Sequence, residues 1–205
     1  MNYVSLGSTC SIAKQMQNHN VKCESLPFDW IKTKNFDSVI ELLSNNFTKF
    51  LDNLEFVKND DKFFVENITN TTSSIYCNKL YDIHFCHDFY NSNLEDQIKE
   101  VQEKYQRRIR RLYNIIKSTN EIIFIRDDVF LNPNIINTNI LIKFDNVIKK
   151  INPCVKYKLI WIINPKKKFD HKIINMIDNC ELIINYEKPK QWWHDEINWE
   201  TIFGR

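Results

Sequence analysis

The sequence predicts an α/β fold, a three-layer sandwich with a mostly parallel sheet and a mostly helical insertion at residues 20–118. Three observations predict it. After residue 120, near-continuous apolar segments alternate with helical patterns, which is how parallel strands covered on both faces read. Before it, residues 94–118 carry one long apolar stripe of a helix. The chain shows no internal repeat and no Gly/Ser-rich linker, so its 205 residues are read as one α/β domain.

The elements follow in order. Residues 2–6 (Asn-Tyr-Val-Ser-Leu) predict a short strand that ends at Gly7. A short helix spans about 10–18, with Ile12 and Met16 on one face. Residues 36–51 predict an amphipathic helix through Phe36, Val39, Ile40, Leu43, Phe47, Phe50 and Leu51. Short strands are expected near Phe63–Val65 and Ser74–Tyr76, and residues 82–89 alternate as a strand. Its alternation sets Ile83, Phe85, His87 and Phe89 on one face and Asp82, His84, Cys86 and Asp88 on the other. The long helix at 94–118 precedes strands at 121–126, 158–164 and 181–186, with helices at 136–150 and 171–179 between them. Residues 191–199 predict a short helix that packs back on the fold.

Composition narrows the function. Hydrophobic residues are 43% and charged residues 26%, the balance of a globular chain. A net charge of +2 argues against nucleic acid and against a membrane surface as partner. The run Arg107-Arg108-Ile109-Arg110-Arg111 follows Glu95, Glu100 and Glu103 on the same helix, so it reads as a solvated, ion-paired face. No segment predicts a membrane span or a signal peptide, so the expectation is a cytoplasmic protein whose six cysteines are free thiols. No Gly-x-Gly-x-x-Gly or Walker-type loop occurs, and no cofactor is expected. Cys77, His84, Cys86 and His87 cluster in sequence, but their spacing fits no common zinc module and no metal is assigned.

The informative stretch is Ser5-Leu6-Gly7-Ser8-Thr9-Cys10. Gly7 is one of only two glycines in the chain, and it stands where a strand turns into a helix. Ser8 or Thr9 would cap that helix and leave Cys10 in its first turn, where free N–H groups favour a thiolate and can receive an oxyanion. Gly7, Ser8 and Thr9 thereby become candidate substrate-binding residues, and the alternative for Cys10 is a small buried hydrophobe. Of five histidines, His87 is the one polar side chain on an apolar face, either a base for Cys10 or a satisfied core histidine. His19 is expected exposed, His171 solvated and His194 packed in the Trp-rich tail. Asp29, between Phe28 and Trp30, is the candidate to orient His87, or else a turn residue. Arg126 ends a strand at the same edge, where it binds an anionic substrate group or pairs with Asp127 or Asp128.

Ser5-Leu-Gly-Ser-Thr-Cys10, Leu26-Pro-Phe-Asp-Trp30, His87-Asp-Phe89, Lys104-Tyr-Gln-Arg-Arg and Ile123-Phe-Ile-Arg126 occur in this order. Together they resemble the papain-like cysteine peptidase family of bacteria and large DNA viruses. The resemblance covers residues 3–126 and implies Cys10 as nucleophile and His87 as base. The turn is equally similar to the nucleophile turn of α/β esterases and of thiol-bearing acyltransferases. The expectation is a cysteine hydrolase acting on a peptide or small acyl substrate. The alternatives are an acyltransferase to a sugar or other small acceptor, and a non-catalytic anion-binding domain.

Overall fold

The computed structural model describes residues 1–64, 72–90, 93–128, 138–163, 179–184 and 190–204. In chain order the elements are β1 (Asn2–Ser5), α1 (Ser11–Asn18), β2 (Ile31–Thr33), α2 (Phe36–Ser44), β3 (Leu54–Phe64), β4 (Thr72–Asn78) and β5 (Ile83–Phe89). They continue as α3 (Glu95–Lys117), β6 (Ile122–Asp128), α4 (Thr138–Ile151), β7 (Tyr157–Ile163), β8 (Cys180–Ile184) and α5 (Trp199–Ile202). The protein is α/β, with one parallel sheet in the order β1-β6-β7-β8 and one antiparallel sheet in the order β2-β5-β4-β3.

The parallel sheet buries both faces by period-2 alternation. Val4, Ile122, Phe124, Leu159 and Trp161 join the core that α2 and α4 cover through Phe36, Leu43 and Phe144. Ile123, Ile125, Ile160 and Ile162 face Ile12 and Met16 of α1 and Trp199 and Ile202 of α5. The larger core also takes Tyr76, Phe85 and Phe89 from the antiparallel sheet and Tyr105, Leu112 and Ile116 from α3.

Three expectations need correction. The 20–118 insertion is not mostly helical, because it carries the whole antiparallel sheet beside α2 and α3. The helix expected at 36–51 stops at Ser44. Asn45 ends it by taking the Thr48 N–H on its side chain and the Thr48 hydroxyl on its carbonyl. Asn46, Phe47 and Lys49 then turn left-handed, and Phe47 and Phe50 enter the core from irregular backbone. Arg108 is not solvated. It is buried with its guanidinium over the Tyr105 ring, while Arg111 pairs with Glu24.

The tail does pack back, though its helix is confined to 199–202. Buried Gln15 of α1 donates to the Trp193 carbonyl and to Asp195 Oδ1, and Tyr3 donates to the Phe203 carbonyl. The helix expected at 171–179, with His171, lies outside the described residues.

Candidate active site

The chain leaves β1 at Ser5 and reaches Gly7, whose φ is +80, a conformation that glycine adopts without penalty. A Cβ at Gly7 would also collide with Thr33 Oγ1 of β2. The turn is stitched to its neighbours on both sides. Asp127 N–H donates to the Gly7 carbonyl, Thr33 N–H to the Ser8 carbonyl, and Ser8 Oγ to the Asp127 carbonyl at 2.5 Å. Cys10 is the N-cap residue of α1, and Ser11 N–H reaches Thr9 Oγ1 at 3.4 Å. The backbone N–H groups of Ser8, Thr9 and Cys10 make no hydrogen bond among the described residues.

Across this turn stands His87. Its Nε2 lies 3.5 Å from Cys10 Sγ, which joins residues 77 positions apart in the chain. A β-bulge makes the approach possible. Ser74 pairs with Phe89 and Tyr76 with Phe85, so β5 holds extra residues between them. Ser73 Oγ fixes the bulge by reaching the carbonyls of Cys86 and Phe89.

The expected alternation of faces therefore fails for residues 86–88. Phe85 packs on Tyr105, and Asp88 Oδ2 accepts from the same tyrosine's hydroxyl at 2.9 Å, so the two share a side. Lys104 closes on Asp88 Oδ1 at 2.6 Å.

Burial raises the pKa of the Cys10 thiol. The residue is 5% exposed. Desolvation pushes its thiol up to about 12, helped by Cys86, Asp88 and Asp29 and opposed by Lys32. The helix start that would favour a thiolate is thus opposed by burial, which pushes the thiol up.

Asp29 is fully buried. Its Oδ2 accepts from Leu26 N–H at 2.7 Å and pairs with Lys22 Nζ at 2.8 Å, and its Oδ1 has no hydrogen-bond partner. The carboxyl is pushed up by burial against the pull of Lys22, the Leu26 N–H and Arg108. No hydrogen bond joins it to His87. It fixes the turn instead, and the next residue, Trp30, sets its ring edge-on to His87 at 6.0 Å, under Lys22 Nζ at 4.4 Å.

Arg126 is wholly buried, with all five donors engaged inside the fold. Nε and Nη2 hold Asp128 bidentately at 2.7 Å, Nη1 reaches the Leu6 carbonyl and Thr33 Oγ1, and Nη2 reaches the Thr33 carbonyl. The ion pair with Asp128 is the reading that the structure contains, and it clamps β1, β2 and β6 beneath the Gly7 turn.

His194 is packed in the tail as its sequence context indicated, but its partner Asp127 was not foreseen. Its ring is buried, with Nδ1 2.8 Å from Asp127 Oδ2, and Ser11 Oγ donates to the same oxygen at 2.7 Å. Burial alone would lower its pKa. The hydrogen bond and charge of Asp127, with Glu196, outweigh that and raise it. The signal was Asp127 itself, a carboxylate at the end of an apolar strand that needs a partner.

These features define an α/β protein with a Cys–His pair over the first strand-to-helix turn. The chain belongs to the family described as "Putative papain-like cysteine peptidase (DUF1796)", whose model matches residues 1–167. It is also 31% identical over 221 residues to an uncharacterized protein of Acanthamoeba polyphaga mimivirus, an alignment covering 98% of this chain and 96% of the relative. No solved structure matches significantly. No helix among the described residues is long and apolar enough to cross a membrane.

Proposed function

We propose that the protein is a cysteine hydrolase of the peptidase or amidase type, encoded by a large DNA virus and acting in the cytoplasm on a peptide or small acyl substrate. The single observation that carries this reading is the 3.5 Å approach of Cys10 Sγ and His87 Nε2. Such proximity between a thiol and an imidazole is what nucleophilic catalysis by cysteine needs.

Because the thiol is held neutral, His87 acts as a general base rather than as one half of a standing ion pair. Its Nε2 takes the thiol proton as Sγ attacks the substrate carbonyl carbon. The carbonyl π pair moves to oxygen, and the N–H groups of Ser8, Thr9 and Cys10 receive that oxyanion. Collapse breaks the bond to the leaving amine, which departs with the proton from His87, and a thioester remains on Cys10. His87 then takes a proton from water, the hydroxide attacks the thioester, and the thiol is regenerated.

Asp29 acts by fixing the turn that sets Trp30 against His87, and Arg126 by clamping the strands beneath Gly7 rather than by touching substrate. With α1 and α5 on one face of the parallel sheet and α2 and α4 on the other, the fold reads as three layers in a single domain. Acyl transfer to a sugar or other small acceptor would use the same residues.

The test is to trap the thioester. Peptide esters and thioesters are incubated with the protein, acid-quenched and read by intact and peptide mass spectrometry. An acyl group on Cys10 of the wild type that is absent from His87→Ala supports the reading. Absence of acylation with every ester, together with hydrolysis no faster than that of Cys10→Ala, would refute it.

A further inference from the structure

Cys77, Asp82 and His84 meet at the turn between β4 and β5, and we propose that they form a site for a zinc-class divalent cation. Cys77 and His84 are directly opposed in the β4–β5 ladder. Asp82, in the connecting turn, is held at φ +50, a left-handed conformation that aspartate tolerates better than most residues. One donor atom from each of the three, sulfur, carboxylate oxygen and ring nitrogen, lies within 4.8 Å of the others.

Thiolate, imidazole and carboxylate are the donors that zinc takes, whereas calcium and magnesium select oxygen alone. Three protein donors leave a fourth tetrahedral position for water. Cys86 and His87 stand apart from this trio. The first lies in the bulge and the second against Cys10, so the two cysteine–histidine groups are separate.

The charge around the trio is mixed, with Asp82 drawing a cation and Lys32, Lys34 and Lys79 opposing it. Lys34 Nζ pairs with Asp82 Oδ1 at 2.8 Å, with the lysine 64% exposed, so the carboxylate already draws a positive charge that is free to swing into solvent. Lys32 of β2 and Lys34 just beyond it lie near His84, and Lys79, itself paired with Glu55, lies near Cys77. Binding would form the metal–sulfur bond as the thiol proton leaves to solvent, with the ion displacing the Lys34 ammonium from Asp82. Occupancy would tie the turn that opens β5, the strand that carries His87 three residues after His84.

The test uses the full chain stripped with chelator. Zn²⁺ is titrated in competition with a chromophoric chelator, and Co²⁺ serves as a spectroscopic stand-in. The expected result is one Zn²⁺ per chain, with a thiolate-to-Co²⁺ charge-transfer band. Cys77→Ser should lose the band, His84→Gln and Asp82→Asn should weaken Zn²⁺ by at least about tenfold, Lys34→Met should tighten it, and Cys10→Ala should leave it unchanged. Absence of the thiolate band in the wild type overturns the proposal even if Cys77→Ser fails to fold. Binding that survives Cys77→Ser and disappears in Cys10→Ala overturns it too, by placing the ion on the Cys10–His87 pair.

Discussion

Two histidines serve the same seven-residue stretch, Ser5–Ser11, and they have opposite partners. His87 meets the Cys10 thiol, whose pKa burial raises, whereas His194 meets Asp127, whose carboxylate favours the imidazolium. The first pair has a proton to exchange and weak means of holding a charge. The second has a carboxylate that favours a charge on its imidazole and draws the Ser11 hydroxyl to the same oxygen. An imidazole packed into this fold is thus a reactive group or a structural rivet according to whether its partner is a thiol or a carboxylate.

Substitutions at each pair sharpen that contrast. Cys10→Ala should abolish the proposed hydrolysis while leaving the thermal transition near the wild-type value, read by turnover and calorimetry together. His87→Ala should lower kcat by about 10²–10⁴-fold, the usual worth of a positioned general base, again with little loss of stability. Asp127→Ala should do the reverse. It leaves the buried His194 and Ser11 without their acceptor, and urea titration should show a loss of about 3–5 kcal/mol.

Gly7→Ala should cost about 1–3 kcal/mol, because φ +80 and the contact with Thr33 both oppose a side chain. The smallest effect is in pH. The stability that the raised His194 pKa supplies is complete below the ordinary imidazole value of 6.5 and drains as pH climbs through the folded value. His194→Gln should flatten that part of the stability profile.

The same contrast marks how far the sequence could be read. Period-2 runs such as Ile122–Ile125 carry both faces of the parallel sheet in themselves, so β6, β7 and β8 were legible to within a few residues. The Gly7 turn was legible because a chain with two glycines places one where only a positive φ fits. The antiparallel sheet was not, since its pairing depends on a bulge at 86–88 that no local pattern announces and that Ser73 holds from another strand. Yet His87 was found for an incomplete reason, since alternation singled it out and the bulge delivers it. Arg126 and Asp29 show the converse. Their polarity in apolar surroundings marked them correctly as special, but the acceptors that consume them, Leu6, Thr33 and Asp128 for one and Leu26 and Lys22 for the other, come from distant segments or from backbone. His194's packing was legible, but its partner Asp127 was not, as it lies 67 positions away.

The account's central claim is that Cys10 is a neutral thiol awaiting a general base. Its most direct test is the rate of iodoacetamide labelling at each cysteine of the native protein from about pH 6 to about pH 9, resolved by peptide mass spectrometry. Cys10 should label more slowly than the exposed Cys23 and Cys154 throughout, with a rate still rising at the alkaline end. Labelling of Cys10 ahead of both, with a plateau already reached below neutrality, would show a standing thiolate and contradict it.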